Sequence, residues 1–372
     1  MGPRSLRPAE ATGILHGVWN RTGWALCIGA GTSLPAFPTW SQLVADLLEA
    51  HEADKSMAAT LAPSLISQFG PDALIQASFN RAGKTPDEFT QRLSERLYGV
   101  LARALTADQW DAVSFVLARP GKKGISKRQW RTFLSAFRDV LPGTSALDIA
   151  AVLTSVLGTE MTPAAILSFN AEPLLFALVN ALTSERAMAD GPPRAGQDRQ
   201  WFDLITRSIS NRQAGRVPYI LCHGMLPVPT RHPIATMASV DKLVFSEGDY
   251  LQLANSAYSW QSSAFLDVAG SRRVVFVGVS FSDPNMRRWL SWQQENRARE
   301  IAAIGEGRHS STPHLWLRVA PTERAEIGWI EAAVQHLGVR VVWMDNWSET
   351  GRVLKSLLEP PPPGRRAWLT TP

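Results

Sequence analysis

Two side chains with acid–base or hydrogen-bonding chemistry follow short apolar runs in this chain of 372 residues. His223 comes directly after Pro218–Cys222 and precedes a glycine, and Asn170 lies within Ser168–Glu172. Histidine is the usual general base near neutral pH. A carboxamide can hold a water or a ribose hydroxyl because it both donates and accepts. We therefore treat Asn170 and His223 as candidate catalytic residues, while each also has a structural alternative, a helix N-cap for Asn170 and a loop hydrogen bond for His223.

Two glycine-containing turns accompany these side chains, one after Trp24–Ile28 and one after Arg273–Val277. Such turns before a helix let the backbone approach a phosphate closely. We expect cofactor contacts from seven turn residues: Gly29, Ala30, Gly31, Thr32, Ser33, Gly278 and Ser280. The first turn lacks the third glycine of the usual dinucleotide motif, so by itself it also fits an ordinary tight loop. Asp283 and Pro284 suit the cap and first position of the next helix, for which a structural role suffices.

The elements that must position these residues are predicted from the apolar pattern. Runs that are apolar throughout are typical of strands buried on both faces of a parallel sheet. Seven such runs occur: Trp24–Ile28, Ala164–Phe169, Pro218–Cys222, Lys242–Phe245, Arg273–Val277, His314–Val319 and Val339–Met344. Helical patterns follow most of them: Trp40–His51, Pro173–Leu182, Tyr250–Asp267, Pro284–Arg297, Thr322–Leu337 and Ser348–Leu358. The alternation predicts an α/β fold with a doubly wound parallel Rossmann-type sheet.

One long segment interrupts this alternation, because it shows helical periodicity only. We predict a large all-helical insertion module at 53–158, within a Rossmann-type domain formed by 1–52 and 159–358. Such a module commonly closes a cleft over the sheet edge where ligands bind. The Pro/Gly-rich loop Asp190–Asp198 and the Pro-rich tail 359–372 are predicted to be flexible.

The composition limits the possible partners. The net charge of +5 allows a nucleic-acid partner, but the arginines are scattered and form no basic stripe, so direct nucleic-acid binding is not expected as the main function. No apolar stretch is long enough to span a membrane and the N-terminus lacks a signal-peptide pattern, so we expect a cytoplasmic protein. Two cysteines without a CxxC pair cannot form a four-cysteine zinc site, and the seven histidines share no ligand spacing, so no metal is expected.

Taken in chain order, these segments resemble the sirtuin-like family, specifically its bacterial NAD-consuming branch found in antiphage defence. The sirtuin pattern GAG-x-S, Thr/Ser-x-Asn-x-Asp, His-Gly and Gly-x-Ser reads here as Gly29–Ser33, Ser168–Glu172, His223-Gly224 and Gly278–Ser280. Three further segments resemble the bacterial branch more than the histone deacetylases: Pro38-Thr39-Trp40, Leu243–Leu253 and Gly278–Leu290. The resemblance covers about residues 20 to 355, and the helical segment matches only in kind.

The resemblance implies that NAD is the substrate. It implies that the first glycine turn cradles NAD, that Ser280 helps hold its phosphate or adenosine side, that Asn170 orients a water or ribose hydroxyl, and that His223 is the base. Glu172 stands where the family usually has Asp, so we assign it no catalytic role, and Phe37 stands where sirtuins often carry glycine. Protein-deacylating sirtuins carry a four-cysteine zinc module that this chain lacks, which favours hydrolysis of NAD to nicotinamide and ADP-ribose.

Two other activities stay open. The chain could transfer ADP-ribose to a protein or deacylate one, or it could be a catalytically silent module that binds NAD or ADP-ribose for assembly. For the leading hypothesis, a toxic NAD-depleting effector, the resemblance implies a homo-oligomer and possible activation by a hexameric ATPase of the HerA type.

Overall fold

A computed structural model describes residues 5–16, 23–49, 55–119, 121, 124–189, 200–207, 213–231, 243–255, 259–304 and 313–360. Seven parallel strands form one sheet in the order β3-β4-β2-β1-β5-β6-β7. The strands are β1 (Trp24–Ile28), β2 (Ala165–Ser168), β3 (Phe202–Ile205), β4 (Val217–Leu221), β5 (Arg273–Val277), β6 (His314–Val319) and β7 (Val339–Met344). The predicted α/β fold with a doubly wound parallel sheet is confirmed.

Helices cover both faces of the sheet. Before β2 they are α1 (Pro8–Ala11), α2 (Trp40–Glu49), α3 (Lys55–Phe69), α4 (Pro71–Ala82), α5 (Pro86–Ala104), α6 (Ala107–Ala118), α7 (Lys127–Ser135) and α8 (Ser145–Val156). After β2 they are α9 (Leu174–Ala189), α10 (Glu247–Asn255), α11 (Trp260–Ser271), α12 (Pro284–Ile304), α13 (Arg324–Gln335) and α14 (Thr350–Leu358). None of the helices in the described ranges is long and apolar enough to cross a membrane.

The strand order places a switch point beside β1. From β1 the chain adds β2 on one side, then β3 at the outer edge and β4 between them, and it returns to add β5 on the other side of β1. The connections that follow β1 and β5 therefore leave the sheet in opposite directions, and ligands of open α/β sheets bind in the crevice this creates. Both predicted glycine turns lie at this point, because they directly follow β1 and β5.

Three details differ from the predicted elements. Leu243–Phe245 forms no strand, so the predicted strand Lys242–Phe245 is wrong, with residue 242 itself outside the described ranges. The strand β3 was not predicted, since Asp203 interrupts its short apolar run. The pattern Tyr250–Asp267 comprises two helices, α10 and α11, rather than one. The predicted flexible loop and nearly all of the predicted tail lie outside the described residues.

The helices between β1 and β2 pack onto the sheet and do not stand apart from it. Tyr98 of α5 and Phe133 of α7 are fully buried in the same hydrophobic cluster as Phe176 of α9 and Leu221 of β4. Alternate residues of β1 belong to this cluster and to a second one on the opposite face, so each face of the sheet has its own core. The boundaries of an insertion module at 53–158 stay a prediction.

Candidate active site

The two glycine turns pack against each other with almost no space between their backbones. A side chain on Gly29 would come within 2.6 Å of the Gly278 carbonyl oxygen, and one on Gly31 within 3.0 Å of the Gly278 Cα. Gly278 has a φ of +66°, and a Cβ there would meet the Thr32 nitrogen at 2.4 Å. Glycine is therefore required at these positions by packing at the switch point, whatever the ligand.

The amides of the first turn are partly used by this packing. Gly29 N donates to Val277 O and Gly31 N donates to Gly278 O, both at 3.0 Å. These two amides hold the turns together and are not turned towards a ligand in this conformation. The predicted cofactor contacts of the turn stay a prediction, and its side chains Thr32 and Ser33 provide the polar groups that face β2.

A buried network joins the first turn to the end of β2. Asn170 Nδ2 donates to Glu172 Oε1 at 2.9 Å, to Ser33 Oγ at 3.1 Å and to Thr32 Oγ1 at 3.3 Å. These contacts fix the orientation of the carboxamide, because only its nitrogen can donate. Asn170 Oδ1 is buried and has no hydrogen-bond partner among the described residues. An unsatisfied buried acceptor is costly, so it marks a position where a ligand hydroxyl or a water is expected.

Glu172 lies at the centre of this network. Its Oε1 accepts from Ser33 Oγ at 2.6 Å, and its Oε2 accepts from the backbone nitrogen of Leu174 at the start of α9. Burial raises the pKa of Glu172 to about 7, against the opposing hydrogen bonds from Ser33, Leu174 and Asn170. The carboxyl group is therefore poised between its charged and neutral forms near neutral pH. Sequence reasoning assigned this residue no role, although its place two positions after Asn170 was the available signal.

A narrow cleft lies over Asn170 and Glu172. Its walls are mostly apolar and its free volume is about 30 Å³, which is room for roughly one water. Trp40 of α2 and Phe245 both line it and are in ring contact, with centroids 5.3 Å apart. The cleft is lined by Ala30, Ser33, Phe37, Pro38, Trp40, Leu43, Leu97, Phe169, Asn170, Ala171, Glu172 and Phe245. A ligand the size of a dinucleotide can enter only if some of these side chains move.

His223 follows β4 and belongs to a second network. Its Nε2 lies 3.2 Å from Asp283 Oδ2, and its Nδ1 lies 3.5 Å from the Tyr250 hydroxyl. The ring makes edge contacts with Phe169 and Tyr250, with centroid distances of 4.8 and 5.3 Å. Burial alone would raise the pKa of Asp283, but the close contact with His223 and the amides of Met286 and Asn285 lower it below the usual value. The 3.2 Å contact does not have the geometry of a regular hydrogen bond, since both atoms are buried without such a partner among the described residues.

A carboxyl group from the helices between β1 and β2 also belongs to the surroundings of His223. Burial, and then the negative charge of Asp283, raise the pKa of Asp72 to about 6, while His223 acts in the opposite direction. Asp72 lies in the first turn of α4, which touches α10 where Gly248 N donates to Gln76 Oε1 at 3.4 Å. Nothing in the sequence pattern indicated that this acid would lie near the predicted base.

The structure brings the predicted residues to one edge of the sheet but divides them between two networks. Asn170 follows β2 and His223 follows the adjacent β4, and in the described part of the chain no hydrogen bond joins them. Phe169 separates the two, since it lines the cleft and also contacts the ring of His223. Ser280 is exposed and its hydroxyl lies 2.6 Å from that of Ser282, outside the cleft lining.

Two further observations concern other kinds of site. No group of three or more histidine, cysteine, aspartate or glutamate side chains that could hold a metal occurs within the described ranges. A roomier surface groove of about 280 Å³ lies between α11 and α12, and none of the predicted site residues lines it. Its lining is mostly polar, with Leu266 and Trp292 as the apolar members, whereas the walls of the smaller cleft are mostly apolar.

Comparison with known proteins gives one informative match. A family model described as a SIR2-like domain matches residues 178–332. The matched segment contains His223, Gly278 and Ser280, and it leaves out the first glycine turn and Asn170. No curated protein matches the chain. The family match supports a relation to the sirtuin-like family and, in general terms, an NAD-dependent activity.

Proposed function

We propose that this chain binds NAD in the cleft beside Asn170 and hydrolyses it to nicotinamide and ADP-ribose. The observation that carries the proposal is the buried, unpartnered Oδ1 of Asn170, a residue that lines the cleft. The hydrogen bonds of Nδ2 to Thr32, Ser33 and Glu172 keep this oxygen turned away from the network. In the proposed complex this oxygen accepts a hydrogen bond from a ribose hydroxyl or from the attacking water.

The chemistry requires few further groups. Nicotinamide leaves from an oxocarbenium-like state, so positioning of the ribose and of one water supplies much of the rate enhancement. The charged form of Glu172 stabilises positive charge that develops near the anomeric carbon, and the apolar walls exclude other water. His223 takes the proton that the ribose hydroxyl or water gives up. This step requires the cleft to open towards the ring of His223, which Phe169 now separates from it.

The catalytic assignment is tested with single variants of the full chain. We expect Asn170→Ala and His223→Ala each to lower nicotinamide release from NAD by about 100-fold or more, on the scale of losing a positioned polar group or a general base. Asn180→Ala is the matched control, because Asn180 is also buried, on α9, and lies outside the cleft lining. Turnover in both site variants at the wild-type rate would overturn the assignment.

We propose further that the chain is a cytoplasmic NAD-depleting effector of bacterial antiphage defence. The resemblance of Leu243–Leu253 and Gly278–Leu290 to that branch supports this role. In this proposal the chain forms a homo-oligomer and is activated by a partner, for which a hexameric HerA-type ATPase is the leading candidate. The role predicts that cellular NAD falls after phage infection only when the wild-type chain is expressed together with the ATPase. A fall of equal size with Asn170→Ala would contradict it.

A further inference from the structure

Asp283 makes two separate sets of contacts with its two carboxylate oxygens. Oδ1 accepts from Asn285 N at 2.8 Å and from Met286 N at 3.3 Å, which caps the start of α12. Oδ2 faces His223 Nε2 at 3.2 Å. Capping needs only one acceptor atom, as serine and asparagine show at other helix starts. The cap therefore explains Oδ1 but leaves the contact of Oδ2 with His223 unexplained.

The surroundings of His223 fix which nitrogen carries the proton of the neutral ring. The side chain is 5% exposed, and Phe169 and Tyr250 hold its plane by edge contacts. His223 Nε2 and Asp283 Oδ2 are both buried, and among the described residues neither has a hydrogen bond of regular geometry, so the 3.2 Å contact between them is the one available to both. A carboxylate only accepts, so within this pair only Nε2 can donate. Burial, followed by the charges of Asp283, Asp72 and Asp249, raises the pKa of Tyr250 well above its usual value. The neutral phenol can donate to Nδ1, which then keeps a lone pair.

We propose that Asp283 is the positioning residue of His223: it holds the imidazole proton on Nε2 and leaves Nδ1 as the nitrogen that accepts a proton. The catalytic consequence of this inference rests on the proposed function, whereas the position of the proton does not. Nδ1 lies 3.5 Å from the Tyr250 hydroxyl, and in the proposed reaction this hydroxyl is displaced by the oxygen of a ribose hydroxyl or water of the bound substrate. Nδ1 then takes the proton from that oxygen while Nε2 keeps its own, so the ring becomes the imidazolium beside the carboxylate.

The position of the proton can be measured without any activity. The full chain is labelled with 15N-histidine, two-bond 1H–15N correlations are recorded, and the His223 signals are assigned with His223→Gln. The wild type is expected to show a protonated Nε2 and an unprotonated Nδ1. A wild-type ring with its proton on Nδ1 would overturn the proposal.

The variant Asp283→Asn replaces the acceptor that faces His223 with a donor and changes the shape of the side chain little. The amides of Asn285 and Met286 require an acceptor, so the new carboxamide keeps its oxygen towards α12 and turns its NH₂ towards His223. The proton is then expected to move to Nδ1. An unchanged protonated Nε2 would contradict the proposal. If this variant fails to fold, Asp283→Ser keeps a capping hydroxyl, and a mixture of both tautomers is expected in place of one.

Asp203→Asn is the matched control. Asp203 is also largely buried, and it accepts from a backbone amide, Gln213 N at 2.6 Å, and from the charged partner Arg216 at 3.1 Å. It lies on β3 at the outer edge of the sheet. We expect this variant to leave the His223 signals unchanged. A shift as large as in Asp283→Asn would show that general loss of a buried carboxylate, and not positioning, moves the proton.

Kinetics separate this inference from the proposed function. We expect Asp283→Asn to lower kcat for nicotinamide release by roughly 100- to 10,000-fold, the range for a base held in the wrong tautomer. KM should change by less than about threefold, because Asp283 is not expected to contribute to the binding of NAD in the ground state. A proton that moves as predicted in a chain that never cleaves NAD would leave the positioning role intact and refute the proposed function. An unchanged kcat in an active enzyme would refute the positioning role.

Discussion

At the scale of single residues, Glu172 connects three parts of the chain. Its two oxygens accept from Ser33 after β1, from Asn170 after β2 and from Leu174 at the start of α9. The shorter aspartate of the sirtuin pattern would have less reach across this network. This arrangement explains how a glutamate fits where the sirtuin pattern has aspartate. It also makes the orientation of the Asn170 carboxamide depend on the charge of Glu172.

The raised pKa of Glu172 predicts a pH dependence of stability. The folded chain holds the proton up to about pH 7, while an unfolded glutamate releases it near pH 4.5. The contribution of protonated Glu172 to the free energy of unfolding is therefore fully present below the pKa of the unfolded chain. It is lost as pH rises through the pKa of the folded chain. The loss amounts to roughly 3 kcal/mol. Urea unfolding from pH 4.5 to 8 should show a shallower fall for Glu172→Gln than for the wild type.

The control for this prediction is Glu185→Gln. Glu185 is an acid whose pKa is lowered by its hydrogen bond to Arg138, on the surface between α7 and α9. Removal of the Glu185 carboxylate should leave the free energy of unfolding falling as steeply between pH 4.5 and 8 as it does in the wild type. If Glu172→Gln also keeps the wild-type slope, the buried acid is not the group that titrates there.

At the scale of elements, the contact between the two glycine turns can be tested by adding one methyl group. Gly278→Ala places a Cβ 2.4 Å from Thr32 N at a positive φ, whereas Gly83→Ala has a φ of +55° with no atom within 4 Å. Gly83→Ala only places an alanine in the left-handed conformation, which lowers the free energy of unfolding by about 1 kcal/mol. Gly278→Ala must also displace backbone, and we expect it to lower the free energy of unfolding by several kcal/mol and to abolish ADP-ribose binding.

Denaturant unfolding and calorimetric titration with ADP-ribose measure both effects. Equal stability losses in the two alanine variants would show that the turns are not in contact. A destabilised Gly278→Ala that still binds ADP-ribose with unchanged affinity would place the ligand away from the switch point.

The elements that could be predicted from sequence are those whose burial is continuous. Trp24–Ile28 is buried along its length and Arg273–Val277 is buried apart from Arg273, and both strands match the predicted bounds. Leu243–Phe245 is equally apolar but forms no strand: Val244 N donates to the His223 carbonyl, and Phe245 lines the cleft. An apolar run predicts that a segment is buried, but it does not predict a strand. Here Phe245 is buried in the lining of the cleft and not in the sheet.

The partners of the site residues could be predicted only in part. Asn170 and His223 were identified because strand ends meet at one edge of a parallel sheet. The same rule does not predict which neighbours each side chain contacts. In the structure Asn170 contacts Glu172 and His223 contacts Asp283, in two separate networks. Asp72 is remote in sequence from Asp283, and only the packing of α4 beside α10 brings it near the ring.

At the scale of the whole molecule, the helices between β1 and β2 share one hydrophobic core with the sheet. Leu97 and Tyr98 of α5 and Phe137 after α7 are buried in the cluster that also contains Phe176 and Leu221. A core common to both parts should couple their unfolding. Scanning calorimetry is therefore expected to give one cooperative transition, with equal calorimetric and van't Hoff enthalpies.

Two resolved transitions would contradict this coupling. Tyr98→Ala provides a sharper form of the test, since Tyr98 is fully buried and its hydroxyl donates to Leu226 O at 3.3 Å. Its removal should lower the free energy of unfolding by about 3 to 5 kcal/mol, the range for a large buried aromatic. The whole transition should move to lower temperature, whereas separate units would leave an upper transition in place.

The most direct test of NAD hydrolysis at the Asn170 cleft is a product analysis in H₂¹⁸O. The wild-type chain, assayed alone and together with the HerA-type ATPase, is expected to release nicotinamide and to form free ADP-ribose that carries one ¹⁸O atom, while Asn170→Ala forms neither. ADP-ribose found on protein, nicotinamide released equally by Asn170→Ala, or no release by the wild type in either assay would each contradict NAD hydrolysis at this cleft.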